Sequence, residues 1–184
     1  MKRALAVSLV GILAVASAWY VWGTQQPMKG TGIPGPEPTA EPEVLQVEPI
    51  VLEHFLGSYS NRSEEGFFVI PGTLDEVREE LRRIASGEQK PRSRFSTEEQ
   101  LNFVVFRGVF PTGGYGVRVD SVQRAGNTFT VRVTYTAPQP GAAVTQAFTQ
   151  PTVVIPIGTL PPGKYRAKLH VIGKPVKSVS FTVE

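Results

Sequence analysis

The second half of the chain consists of short segments in which apolar and polar side chains alternate, and this pattern limits the fold more than any other feature. Residues 128–135, "TFTVRVTY", and residues 165–171, "YRAKLHV", both follow it. Their apolar positions are Phe129, Val131, Val133, Tyr135, Tyr165, Ala167, Leu169 and Val171. Alternation with a period of two is typical of half-buried strands, and Gly/Pro turns at roughly ten-residue spacing are typical of sandwiches. We expect a mainly β (α+β) fold, an antiparallel β-sandwich or barrel-like domain, for which the immunoglobulin-like sandwich is one candidate form.

Two other segments predict strands in special positions. "LNFVVFRGVF", from Leu101 to Phe110, is apolar at both odd and even positions, which predicts a central strand covered on both faces. "TVVIPI", residues 152–157, contains Pro156, which has no N–H to donate to a neighbouring strand. We therefore expect Pro156 at a sheet edge or at a bulge.

One amphipathic helix is predicted near residues 73–86. Thr73 can cap its first turn, Glu76 completes a capping box, and Gly87 ends it. Apolar residues recur on one face at Leu74, Val77, Leu81 and Ile84. We expect this accessory helix to pack on the β-structure through that face.

The first 23 residues resemble a signal peptide or an N-terminal membrane anchor. Lys2 and Arg3 precede an uncharged apolar run from Ala4 to Trp22. The small residues 16–18 favour cleavage, whereas the aromatic residues Trp19, Tyr20 and Trp22 favour retention at a membrane interface. Both interpretations place the rest of the chain outside the cytoplasm, either secreted or anchored to the membrane.

The composition divides the chain into three regions. Residues 1–23 are the signal peptide or anchor, residues 24–44 form a Pro-rich linker, and residues 45–184 form a single folded domain. The linker has almost no apolar side chains to bury, so it should be an extended tether.

The chemical inventory argues against catalysis. Cysteine is absent, and His54 and His170 are the only histidines. The sequence has no nucleophile elbow, zinc-binding helix motif or phosphate loop. We expect a protein that is not an enzyme, without a cofactor and without a metal site.

The β-rich region is strongly basic. From Leu101 onward, Asp120 and Glu184 are the only acidic residues against nine lysines and arginines. Strand parity places four basic side chains on an outer face: Arg132, Arg166, Lys168 and His170. One alternative function is therefore binding of an anionic cell-wall or surface polymer through this face. Nucleic acid is not expected as a partner, because stacking motifs that combine aromatic and basic residues are missing.

The most distinctive loop is Phe110 to Tyr115, within "VFPTGGYGVRV". Pro111 fixes one backbone torsion, and Gly113 and Gly114 permit positive φ, so a sharp reversal is expected. The set Phe110, Pro111, Thr112, Gly113, Gly114 and Tyr115 is predicted to be a rigid hairpin tip that binds a partner, with the loops 138–141 and 161–164 beside it. In the alternative, Tyr115 only caps the edge of the core.

These residues carry a resemblance. "FRGVFPTGGYGVRV", from Phe106 to Val119, followed by a Gly-Asn turn, "APQPG" and "PTVVIPI", resembles the C-terminal domain of the PrcB family. The resemblance runs from about Leu101 to Val171, within a β region of about 101–184. Members are secreted or membrane-tethered bacterial proteins described as subunits that stabilise a protease complex. The resemblance implies a non-catalytic protein-binding module whose partner is a secreted or membrane-bound protease.

The same loop is similar to the "TTGY" loop of chagasin-type protease inhibitors, which insert loops of an immunoglobulin-like sandwich into an enzyme cleft. Thr112, Gly114 and Tyr115 match that motif, and Gly113 replaces its second threonine. This similarity implies a protease inhibitor as a further alternative, although the other two loop signatures of that family are not evident.

Overall fold

The structure, a computed structural model, describes residues 41–52 and 64–184. The predicted signal peptide or anchor, residues 24–40 of the predicted linker and His54 lie outside the described residues. Within the described ranges, no helix combines the length and the apolar character that crossing a membrane requires.

Ten strands and one helix succeed one another along the described chain. In order they are β1 (Glu43–Val44), β2 (Ile50–Leu52), β3 (Gly66–Pro71), α1 (Leu74–Ser86), β4 (Arg94–Phe95), β5 (Leu101–Phe106), β6 (Gly116–Ala125), β7 (Thr128–Thr136), β8 (Thr152–Gly158), β9 (Gly163–Val171) and β10 (Lys177–Val183). Strand β1 pairs with β6, so ordered structure begins inside the range predicted to be linker.

The strands form two sheets, as the sandwich prediction requires. The larger sheet has six strands in the order β1-β6-β7-β9-β10-β4, and the smaller has four in the order β2-β8-β5-β3. Neither sheet of the described chain closes into a barrel. The sandwich is therefore confirmed and the barrel-like alternative is not observed.

Strand direction departs from the prediction of antiparallel sheets. Strand β7 runs parallel to β9, and β4 runs parallel to β10, while the other pairs are antiparallel. The reason is connectivity, because the chain leaves β7 and forms β8 in the smaller sheet before it returns as β9. A crossover of this kind lets two strands of one sheet run in the same direction, which a short hairpin cannot do. The central parallel pair also departs from the antiparallel sheets of an immunoglobulin fold.

The core lies between the sheets and is built around Phe103 of β5. Its ring makes an edge contact with Phe129 at 5.2 Å between centroids and lies 6.4 Å from Phe181, both of which come from the larger sheet. Phe103 is fully buried, and the predicted inward residues of β7 and β9 are buried or half-buried around it. The alternation in the sequence therefore marks the inner face correctly.

A second apolar layer lies on the other face of the smaller sheet, where α1 packs. Val77, Leu81 and Ile84 of the helix are buried against a cluster that includes Val104 and Phe106 of β5. Strand β5 is thus covered on both faces, as its apolar sequence predicts. The helix begins after Thr73 with the predicted capping box, in which the Thr73 backbone N–H donates to Glu76 at 2.7 Å.

Pro156 lies at a bulge, as predicted. The pairing of β5 with β8 shifts by one residue where Asn102 lies opposite Pro156 and Leu101 lies opposite Gly158. On its other side, β8 pairs with β2 only from Thr152 to Val154. The missing N–H of Pro156 therefore interrupts no regular ladder.

Candidate functional site

The loop from residue 107 to 115 connects the two sheets and is not a hairpin tip. Strand β5, before the loop, belongs to the smaller sheet, and β6, after it, belongs to the larger sheet. The hairpin geometry predicted from the sequence is therefore wrong. Both edges of β5 are already paired, with β8 and with β3, so β6 cannot pair beside it and the chain crosses to the larger sheet.

The loop is held in place by the segment that precedes β8. The backbone of Phe110 exchanges two hydrogen bonds with Thr149, at 2.8 and 2.9 Å, and the Gly113 N–H donates to the Thr145 carbonyl at 2.9 Å. The Thr149 hydroxyl also donates to the Thr112 carbonyl at 2.8 Å. Gly113 is buried, whereas Pro111 and Gly114 are exposed. The predicted site residues thus lie together. They belong to a loop that crosses between the sheets and is held by hydrogen bonds, and they do not form a projecting tip.

Gly114 is one of two loop residues, with Gly108, whose positive φ requires glycine. Its φ is +87°, and a Cβ built there would lie 2.9 Å from the Pro138 Cβ. Gly113 has no positive φ, contrary to the prediction for it. The contact with Pro138 confirms that the loop 138–141 lies beside the site.

The loop 161–164 does not join the site. Strand β7 pairs with β6 through Thr136 at one end and with β9 through Thr128 at the other. Residues 161–164 precede the part of β9 that pairs near Thr128, so they lie at the far end of β7. At ~3.3 Å per residue, the strand separates the two ends by roughly 25 Å.

We predict that Gly114→Ala destabilises the protein more than Gly126→Ala does. Both glycines have positive φ, but a Cβ at Gly126 would meet nothing within 4 Å. The left-handed backbone alone costs a non-glycine residue about 1–2 kcal/mol, and Gly114→Ala adds the clash with Pro138. Urea unfolding of both variants measures the difference, and equal losses would contradict the packing of this loop.

Arg107 fastens the loop to the larger sheet. Its Nη1 donates to the carbonyls of Gly116, at 3.0 Å, and of Thr136. The Phe110 and Tyr115 rings stack at 4.1 Å between centroids, and the Arg107 guanidinium lies 4.9 Å from the Phe110 centroid. Burial lowers the pKa of Arg107 from its ordinary value. The guanidinium therefore links the two ends of the loop through one charged group.

An ion cluster extends this anchor toward the turn between β9 and β10. The Glu65 carboxylate pairs with Lys174 at 2.8 Å and with Lys177 at 3.2 Å. Partial burial raises the pKa of Glu65, but the hydrogen bonds from the two lysines outweigh it, so the net pKa is lowered. Burial, together with the charge of Glu65, raises the pKa of Tyr135, whose ring lies 4.7 Å from Arg107. The cluster thus connects the loop to β7, to β10 and to the residue before β3.

Exposed apolar side chains surround this anchored end. Ile172 is 84% exposed, and Phe148 and Val176 are each 51% exposed. A shallow pocket of about 450 Å³ lies between Ile172 and Phe110, with Arg107, Tyr135 and Lys174 in its lining. We call the set Phe110, Tyr115, Phe148, Ile172 and Val176 the loop-end surface.

The four basic residues predicted for an outer face do share the outer face of the larger sheet. Arg132 of β7 lies opposite His170 of β9, and Lys168 and Arg166 follow along β9. Strand pairing adds two cations that sequence parity did not identify, Lys164 of β9 and Arg94 of β4, which both lie beside Thr182 of β10. In the described ranges, no group of three potential metal-ligating side chains occurs.

Sequence reasoning missed much of the loop-end surface. In the sequence, Arg107 is one of nine lysines and arginines of the β-rich region, and nothing distinguishes it from the others. Glu65 is distant from the loop along the chain. A usable signal existed in "VIGKPVK", residues 171–177, where Ile172 and Val176 flank a Gly-Lys-Pro turn. Apolar residues in such a turn are expected to be exposed, and they mark a contact surface when several lie together.

The fold and this surface define a two-sheet β-sandwich with a crossing loop and exposed apolar side chains at one end. Residues 102–157 match the family model described as PrcB C-terminal, so the predicted resemblance to that domain is confirmed. The match includes the crossing loop and the segment that pins it, whereas Glu65, Ile172 and Lys174 lie outside it. No curated protein and no solved structure matches the chain.

Proposed function

We propose that this protein is a non-catalytic subunit that binds a partner protein through the loop-end surface, and that the partner is a secreted or membrane-bound protease complex that it stabilises or regulates. The main observation behind the proposal is that exposed apolar side chains, among them Ile172 at 84% exposure, lie around a loop that is held by hydrogen bonds. The PrcB C-terminal match supports a protease complex as the partner.

The energetics of the surface suit protein binding. Full burial of an exposed Ile, Val or Phe side chain stabilises a complex by about 1.5–3 kcal/mol. The hydrogen bonds of Phe110 and Gly113 already order the loop, so binding need not restrict it further. Binding hot spots are enriched in Tyr and Arg, and this surface contains Tyr115 with the Arg107 guanidinium 5.4 Å from its ring centroid.

The pinned loop favours a stabilising subunit over a chagasin-like inhibitor. Insertion into an enzyme cleft requires a loop end that projects; Pro111 and Gly114 are exposed here, but Gly113 is buried and Tyr115 is stacked on Phe110. Releasing the loop would break its bonds to Thr145 and Thr149. We therefore place contact with the partner on the surface around the loop.

The test compares two double variants, each of which replaces two exposed aliphatic side chains with serine. Ile172→Ser/Val176→Ser removes apolar groups from the loop-end surface, and Val44→Ser/Val51→Ser removes similarly exposed groups, 54% and 56% exposed, at sheet edges. We expect the first variant to recover at least tenfold less partner protease from the native envelope, because a loss of 1.4 kcal/mol is a factor of ten. The second should recover wild-type amounts.

A protease assay on the same samples separates the stabilising role from inhibition. Addition of the wild-type protein should lengthen the active lifetime of the protease, whereas an inhibitor would lower its initial rate. Equal recovery of protease by the two double variants would count against the loop-end surface.

A further inference from the structure

The outer face of the larger sheet carries basic and hydroxyl side chains in register. Arg166 of β9 lies between Thr128 of β7 and Ser180 of β10. Lys168 likewise lies between Thr130 and Ser178. Near the start of β9, Thr182 of β10 lies between Lys164 and Arg94. We call the cations Arg94, Lys164, Arg166 and Lys168, with these hydroxyls, the basic groove.

These cations have few acidic neighbours. In the described part of the chain, no carboxylate lies within ion-pair distance of Lys164, Arg166 or Lys168. Arg94 approaches Glu184 at 3.6 Å, and both side chains are largely exposed, so this pair holds the arginine weakly. The groove therefore presents positive charge that internal ion pairs leave mostly uncompensated.

The same residues line a concave surface. A pocket of about 570 Å³ is bordered by all four cations and by the hydroxyls of Thr128, Ser180 and Thr182. It lies near the start of β9, and the loop-end surface lies at the other end of β7. The two surfaces can therefore be occupied independently.

We propose that the basic groove binds a linear phosphate polymer. Cations on one face of a strand recur every ~6.6 Å, so Lys164, Arg166 and Lys168 form a row that successive anionic groups of a chain can follow. Arginine guanidinium groups and hydroxyls both donate hydrogen bonds to phosphate oxygens. The row along β9 thus offers charge and donors together.

The residues of the groove suit a phosphate polymer better than they suit a membrane surface or a protein partner. None of the large apolar side chains that are exposed in the described ranges lies in the groove. A surface that enters a membrane interface needs such groups, and protein hot spots are rich in them. A hydrated polyanion needs only charge and hydrogen-bond donors.

The experiment measures binding of inorganic polyphosphate to the purified full-length protein. We expect Arg166→Ala/Lys168→Ala to weaken binding at least tenfold. The matched control, Arg78→Ala/Lys90→Ala, removes the same charge from exposed positions outside the groove and should bind within twofold of wild type. The slope of log affinity against log salt should decrease by about 2 for the groove variant, since each lost phosphate contact releases about one counterion fewer.

Two other probes decide the chemistry of the ligand. Polyglutamate of equal charge should bind at least fivefold more weakly than polyphosphate, and vesicles of anionic phospholipid should not bind through these residues. Equal weakening by the groove and control variants, equal affinity for polyglutamate, or groove-dependent vesicle binding without polyphosphate binding would each overturn the proposal.

Discussion

Phe103→Ala should lower the free energy of unfolding by about 3–5 kcal/mol, the usual loss when a buried Phe becomes Ala. Phe103 has no exposed surface and contacts rings from both sheets, Phe67 at 5.8 Å and Phe129 at 5.2 Å between centroids. The cavity would therefore open in the layer that joins the sheets. Urea unfolding followed by circular dichroism measures the loss, and the corresponding fall in Tm should be on the order of 10 °C.

Two controls locate this effect in the core. Phe103→Leu keeps most of the volume and should cost about 1–1.5 kcal/mol. Ile172→Ala removes an 84% exposed side chain and should change stability by no more than about 0.5 kcal/mol. Similar losses for Phe103→Ala and Ile172→Ala would contradict the arrangement of the two sheets.

Arg107→Met should cost about 2 kcal/mol and free the crossing loop. The variant keeps an apolar stem but loses the donors that bind the carbonyls of Gly116 and Thr136. Hydrogen bonds from a charged donor contribute about 1.5–3 kcal/mol, and the cation contacts with Phe110 and Tyr135 add to them. Because the guanidinium is partly exposed, we expect the total loss of stability to lie near the lower end of that range.

Amide hydrogen exchange distinguishes local release from general destabilisation. The N–H groups of Phe110 and Gly113, which are hydrogen-bonded to Thr149 and Thr145, should exchange faster in Arg107→Met by a larger factor than the amides of β9. Arg107→Lys retains the charge without the planar fork and should give an intermediate result. Uniform acceleration across the domain would show that Arg107 does not anchor the loop.

Local patterns were sufficient to predict the helix and the strands β5, β7, β8 and β9, but not the short strands before β5. The capping box at Thr73, the alternation along β7 and β9, and the two-faced apolar sequence of β5 each follow from interactions between residues close in the chain or from burial of one face. Pro156 limited its own position to a sheet edge or a bulge, because a missing N–H has the same consequence in any sheet, and the structure shows the bulge. These features need no knowledge of which strands meet.

Strand neighbours and the site itself depended on contacts between distant residues. The parallel pairing of β7 with β9 requires that β8 join the other sheet, which no local pattern encodes. The same change of sheet turns "PTGGY" into a crossing where a hairpin was expected. Glu65 meets Lys174 across more than a hundred residues, so the ion cluster was invisible to motif reading.

The crossover through β8 also limits how the protein can be divided for experiments. The PrcB C-terminal match stops at residue 157, before β9 begins. A fragment cut at that border would leave the inner edge of β7 without its parallel neighbour and Phe103 without Phe181. Such a fragment would present an open strand edge beside an uncovered apolar face, a combination prone to aggregation. Expression of this domain should therefore extend to Glu184.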